Sequence, residues 1–200
     1  MNNIEPNISK ETINEMPACL FPGEIVVVDK NRELLKAIDY LNKQEILGFD
    51  TETKPAFAKG VINKVALMQI ATDEVCYLFR LNKIGFPAEL VKLLKDKRIK
   101  KIGLSLRDDF QALNKRKVIN PESFIDLQTI VSDYGISELS LQKIYALLFG
   151  EKISKSQRLS NWESEELSES QQRYAATDAW ATRKIYLKLM EMKKAINDKR

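Results

Sequence analysis

Asp50 and Glu52 stand two residues apart in the run Ile46-Leu47-Gly48-Phe49-Asp50-Thr51-Glu52. The run opens apolar, as a strand would. Strand side chains alternate between faces, so the two carboxylates point the same way at its end. Carboxylates held that close repel each other. A hard divalent cation such as Mg²⁺ takes oxygen ligands and turns the repulsion into a binding site. A strand that simply ends in a solvated acidic turn would carry the same pair, and the pair alone does not separate the two.

Two other acidic segments have the character to join it. In Lys101-Ile102-Gly103-Leu104-Ser105-Leu106-Arg107-Asp108-Asp109-Phe110, a strand ends near Gly103 and a helix begins with two acids in its first turns. A helix dipole favours acids there whether or not they have another use. In Tyr174-Ala175-Ala176-Thr177-Asp178-Ala179-Trp180, Tyr174 and Asp178 are four residues apart, hence neighbours on one helical face. The alanines around them let a helix backbone approach a sheet closely. An acid among alanines and a tryptophan suits a functional group better than a solvated face.

Composition narrows the chemistry. The chain has no histidine. That excludes a Ser-His-Asp triad, a Cys-His pair, an HExxH zinc site and any histidine base. Catalysis would fall to carboxylates, Tyr, Lys, Cys or a metal. The net charge of +4 does not by itself indicate a nucleic-acid partner. The cations are grouped, however: Lys95, Lys97, Arg98, Lys100 and Lys101; Lys115, Arg116 and Lys117; Lys152, Lys155 and Arg158. Solvated helix ends account for each group about as well as phosphate contacts do. Cys19 and Cys76 lack metal-type spacing, the first ten residues show no export signal, and no apolar run is long enough to span a bilayer. A reducing, cytoplasmic setting is expected.

The elements that must position these groups follow from periodicity. Residues 1–22 read as a leading arm broken by Pro6, Pro17 and Pro22, with a short helix at most over 9–16. A strand over 25–29 precedes a helix over 32–42 capped by Asn31. The strand over 46–52 is followed by a hairpin, 64–72 and 75–80, around Thr72-Asp73-Glu74. Pro87 opens a helix to Leu94. A strand over 99–103 leads to a helix over 106–115, and a strand over 124–127 leads to a helix ending near Tyr134. Ser140 caps a helix that Gly150 stops. The polar stretch 151–161 lacks periodicity and reads as mobile, and a long helix runs from about 168 to 194. Three antiparallel strands followed by alternating helices and strands make a mixed α/β sheet of five or six strands with helices on its faces.

Taken together, Asp50, Glu52, Asp109, Tyr174 and Asp178 resemble the DEDD superfamily of 3′–5′ exonucleases, in the branch that carries a tyrosine. The likeness is greatest to ribonuclease D and Werner-syndrome-type exonuclease domains of the stand-alone bacterial kind. Phe49-Asp50-Thr51-Glu52, Lys101 to Asp109 and Tyr174 to Ala179 look like the three motifs. Val65-Ala66-Leu67-Met68-Gln69-Ile70 and Arg158-Leu159-Ser160-Asn161-Trp162 support the likeness, which runs from about Gly23 to Leu189. An exonuclease domain over 23–196 behind the arm is therefore expected, with a ribonuclease H-like fold. Two departures stand out. Asp108 occupies a position where the pattern has a small residue, so either acid could be the ligand, and spacing favours Asp109. The aromatic residue that follows the first motif in the family is replaced by Thr53 and Lys54.

The resemblance implies two divalent ions, Mg²⁺ or Mn²⁺, held by Asp50, Glu52, Asp109 and Asp178. Asp50 would bridge both ions, Glu52 and Asp178 would complete the site that activates water, and Tyr174 would orient that water. The partner would be DNA or RNA with a free 3′ end, releasing nucleoside 5′-monophosphates. Thr51, Lys155 and Arg158 would contact the nucleic acid. Trp162 could stack on a base, but a large apolar side chain is more often core, and the core assignment is preferred. Two rivals remain: an inactive nucleic-acid-binding module on the same fold, disfavoured by the full set of acids, and a phospho-acceptor domain using Asp50, disfavoured by the hairpin and the Tyr174/Asp178 helix.

Overall fold

The structure is a computed structural model that describes residues 5–56, 60 and 62–198. Six strands form one sheet in the order β1-β4-β3-β2-β5-β6: β1 (Glu24–Val28), β2 (Ile46–Thr53), β3 (Val65–Ala71), β4 (Val75–Arg80), β5 (Lys100–Gly103) and β6 (Phe124–Asp126). β2, β3 and β4 are antiparallel neighbours, whereas β5 and β6 run parallel to β2. This is the mixed sheet expected. β1 lies parallel to β4 and closes one edge. The hairpin turn is tied by Thr72, whose hydroxyl accepts the N–H groups of Glu74 and Val75.

The helices are α1 (Lys10–Glu15), α2 (Asn31–Leu41), α3 (Leu81–Ile84), α4 (Ala88–Lys95), α5 (Leu106–Asn114), α6 (Leu141–Phe149) and α7 (Glu169–Asn197). They cover both faces. Leu47 and Phe49 of β2 enter one apolar cluster with Leu34, Leu41, Leu94 and Leu113 from α2, α4 and α5. The opposite face carries a second cluster built on Ala175, Ala176, Ala179 and Ile185 of α7. Small residues at that contact are required. A Cβ on Gly48 would lie 1.9 Å from the carbonyl oxygen of Ala179, so only glycine lets α7 approach β2 there.

Three details depart from expectation. Asn31 is the first helical residue of α2, and Lys30 precedes it without a side-chain cap. The segment after β6 forms two 3₁₀ turns, Leu127–Thr129 and Val131–Tyr134, because Asp126 turns its carboxylate onto Gln128 N–H and tightens the first one. The stretch 151–161 is anchored at its start. Lys152 pairs with the arm through Cys19 N–H to Lys152 O (2.8 Å) and Lys152 N–H to Pro17 O (2.9 Å), and Gln142 donates to Ile153 O.

The arm also reaches the core. Phe21 is 2% exposed, packs at a tilt against Trp180 with ring centroids 5.9 Å apart, and donates its N–H to the Thr177 hydroxyl at 3.0 Å. Burying one such side chain contributes about 1.5–3 kcal/mol. Among the described residues no helix is long and apolar enough to cross a membrane.

Candidate functional site

β2 sets the geometry of the acids. Because Gly48 faces α7, so do Asp50 and Glu52, and the odd-numbered Phe49 and Thr51 face the other way. α7 lies across β2 and brings Asp178 down onto the same spot. Carboxylate oxygens of Asp50, Glu52 and Asp178 lie within 4.8 Å of one another.

The helix that delivers Asp178 is fixed at several points. A capping box between Ser168 and Gln171 starts it. Thr177 receives the arm's Phe21 N–H. Thr182 donates to Ile102 O of β5 at 2.7 Å, and Arg183 donates to Ile46 O of β2 at 2.9 Å while pairing with Asp73. Tyr174 sits one turn before Asp178, is 8% exposed, and packs against the fully buried Trp162 with ring centroids 6.0 Å apart. Trp162 is thus core, as preferred on sequence grounds. Its segment is held by Arg80, a buried arginine whose guanidinium donates to the carbonyls of Ser164 and Glu165.

The electrostatics of the cluster suit a cation. Burial pushes Asp50 well above the ordinary carboxylate range, and repulsion from Asp178 adds to it. Glu52 rises for the same first reason, with Asp50, Asp178 and Asp109 contributing. Asp178 rises through burial and is partly offset by Tyr174 and Lys155. The Tyr174 phenol is itself pushed up by burial and by the three acids, so it stays protonated at neutral pH. Buried carboxylates that cannot ionise together are a liability that a bound cation removes, and an all-oxygen set suits Mg²⁺ or Mn²⁺. The residues present therefore fit such an ion.

The 3′–5′ exonuclease family matches residues 25–194. The chain belongs to that family. It is 33% identical over 186 residues to the mouse bifunctional 3′–5′ exonuclease/ATP-dependent helicase WRN, a match that covers 88% of this chain but only 13% of the mouse protein. It is 29% identical over 206 residues to an Arabidopsis thaliana 3′–5′ exonuclease, covering 95% of this chain and 72% of that protein. The EXO domain of Aedes aegypti Nibbler shares the fold, with a TM-score of 0.80, 24% identity, and coverage of 90% and 94% of the two chains. The family expected from the motifs and the ribonuclease H-like sheet are both those that the comparisons return.

Within this exonuclease fold the expected residues do not all converge. Asp50, Glu52 and Asp178 do, with Tyr174 beside them. Asp109 lies next to the trio and raises the Glu52 pKa, but its carboxylate accepts the Thr51 hydroxyl. Thr51 is thereby turned to the α5 face of β2, toward Asp109. Asp108 is exposed, whereas Asp109 is half-buried. Lys155 is exposed and near enough to Asp178 to favour its anion. Arg158 is exposed, and among the described residues it forms no ion pair. The first basic group is largely spent on structure: Arg98 binds Asp96, Lys97 pairs with Glu122, and Lys101 is buried with its ammonium on Asp96 O at 2.7 Å.

Two residues without an assigned role in the sequence shape the site. Asp126, at the end of β6, accepts the N–H groups of Ser105 (3.0 Å) and Leu106 (2.8 Å). It caps α5 from another strand, because Ser105 adopts a left-handed conformation and makes no side-chain cap of its own. Gln69 lies directly opposite Asp50 across β2 and β3. The signal for Gln69 was present: it is the one amide in the apolar run Val65–Ala71.

Proposed function

We propose that the chain is a metal-dependent 3′–5′ exonuclease that hydrolyses phosphodiester bonds at the 3′ end of DNA or RNA and releases nucleoside 5′-monophosphates. The observation that carries this reading is the approach of Asp50, Glu52 and Asp178 to within 4.8 Å of one another in a member of the exonuclease family. Asp50, Glu52 and Asp178 would hold a divalent cation, and Asp109, at the rim, would support a second. When bound, such ions supply Lewis-acid charge for the attacking and leaving oxygens of the phosphodiester.

The chain's own groups do the rest. Tyr174 remains a neutral phenol, so it can orient the attacking water by a hydrogen bond but cannot act as a base at neutral pH. Asp178 faces Tyr174 and helps fix that orientation. Lys155, whose charge is felt at Asp178, would meet phosphates next to the scissile one, and Arg158 follows on the same segment. Thr51 serves the site through Asp109 rather than by reaching toward α7. Two free thiols, one of them fully buried, suit a reducing cytoplasmic setting.

The test is digestion of a 5′-labelled oligonucleotide, DNA and RNA in parallel, with Mg²⁺ and with Mn²⁺. A ladder that shortens from the 3′ end, with 5′-monophosphates recovered by chromatography, is expected, and chelation should stop it. Tyr174→Phe should slow the ladder about tenfold, the worth of one orienting hydrogen bond. Binding without any shortening would instead mark an inactive binding module.

A further inference from the structure

Gln69 is the polar exception in β3, a strand buried along its whole length. Its side chain is 0% exposed, and neither amide atom has a hydrogen-bond partner. A primary amide carries two donors and an acceptor, and burying them unmade is costly. An apolar side chain of the same volume would avoid that cost, so the amide calls for a use outside packing.

The register shows what it faces. Gln69 pairs with Asp50 on one side and with Leu78 on the other. Directly opposed residues of an antiparallel pair share a face, with Cβ atoms about 4.5–5.5 Å apart. A glutamine amide two carbons beyond its Cβ reaches a carboxylate across that distance. Its other strand neighbours on this face are mostly apolar. Leu67, Ala71 and Leu78 are apolar core, and Arg80 gives its two terminal nitrogens to Ser164 and Glu165 while its Nε stays unpartnered. Asp50 is short of donors in turn: the hydrogen bond favouring its anion comes from the Thr51 backbone.

We infer that Gln69 is a positioning residue whose amide N–H, unpartnered in this structure, swings onto the opposed Asp50 carboxylate and holds it in the orientation that binds the divalent cation. This rests on the metal-site reading above. Groups that orient metal ligands from outside commonly change metal affinity about 10–100-fold when removed.

Gln69→Met keeps the volume and removes the amide. Mn²⁺ titrated into the full chain by calorimetry, without nucleic acid, should bind about tenfold more weakly to Gln69→Met than to the parent. The metal-free melting temperature should stay level or rise, because an unpaired buried amide has gone. Equal Mn²⁺ affinity in the two chains overturns the inference and leaves the metal site standing. So does weaker binding matched by a lowered metal-free melting temperature, which marks a structural role. A parent chain that binds no Mn²⁺ overturns the metal-site reading itself, and this inference with it. Should Gln69→Met fail to fold, the side-chain amide resonances of Gln69 in the parent provide the second readout. Mg²⁺ should shift them and slow their exchange, and resonances that do not move overturn the assignment.

Discussion

α7 and α5 both bring an acid to the end of β2, by opposite means. α7 is long, starts on a capping box and lies against the sheet through alanines and Gly48. Its buried Asp178 joins the half-buried Asp50 and Glu52. α5 has nine residues and no cap of its own, and it depends on Asp126 of β6. Its Asp109 stays at the rim, held by Thr51. Close backbone packing thus places a carboxylate inside the trio, whereas a cap borrowed from a strand places one just outside it, where burial and Asp50 push it up as well. The rigid helix can hold an unfavourable charge because its other contacts are numerous. The short one holds its acid through the Thr51 hydroxyl, as Tyr174 does for Asp178 on the long one.

The sharpest test of that contrast compares two amides. Asp178→Asn should lower the digestion rate by about 10²–10³-fold or more, the scale of losing a preorganised charge-stabilising group. Asp109→Asn should cost less, about tenfold, if its rim position reflects a supporting role. Removing a charge from the repelling trio should also raise the metal-free melting temperature in Asp178→Asn. Equal losses in both variants would erase the distinction drawn between the helices.

Asp126→Ala addresses the borrowed cap. The loss should be about 1–2 kcal/mol of stability, measured by denaturant unfolding, together with a slower reaction. Mn²⁺ binding at the trio should change little, because Asp178 rides on a different helix. If binding falls as well, α5 and α7 do not position their acids independently.

The raised carboxylates give a signed pH effect. Asp50 and Asp109 are pushed up to about 8 and Asp178 to about 7, from ordinary values near 4. Above its unfolded pKa, each such group binds more protons folded than unfolded. Its contribution to stability is therefore present at low pH and lost as pH rises through the folded value. The metal-free chain should lose melting temperature between about pH 5 and pH 8, and saturating Mn²⁺ should reverse the trend by binding the ionised set. A metal-free melting temperature that rises over that range would contradict the raised carboxylates.

The smallest effect belongs to the cations. Charge removal at Lys155 or Arg158 should flatten the salt dependence of single-strand binding by roughly 0.7 for each phosphate no longer neutralised. Lys155 should show it more clearly, since its charge is felt at Asp178.

Much of the fold and the site was readable from residue order, for identifiable reasons. Alternation of Gly48, Phe49, Asp50 and Glu52 gave the facing of β2, and the alanines about Asp178 gave the close helix. Thr72-Asp73-Glu74 gave the hairpin, and Ser140 with Gly150 gave both ends of α6. What escaped depends on neighbours remote in sequence. Asp126 looks like a strand end until β6 is laid beside β5 and its carboxylate meets Ser105 and Leu106. The cluster around Lys101 looks like a phosphate-binding surface until Lys101 is seen to be buried against Asp96. Gln69 has a visible oddity, an amide among apolar residues, but its significance needs the β2–β3 register.

The arm bears on how such domains are trimmed. The family match begins at residue 25, just past the segment in which Phe21 inserts beneath Trp180 and Cys19 zips to Lys152. A version cut to the shared boundary would expose Trp180, release Thr177 from its backbone donor and unfasten the strip leading to Lys155. Its behaviour in a melt or an assay would understate the chain that keeps its arm, and the shortfall would be mistaken for a property of the catalytic machinery.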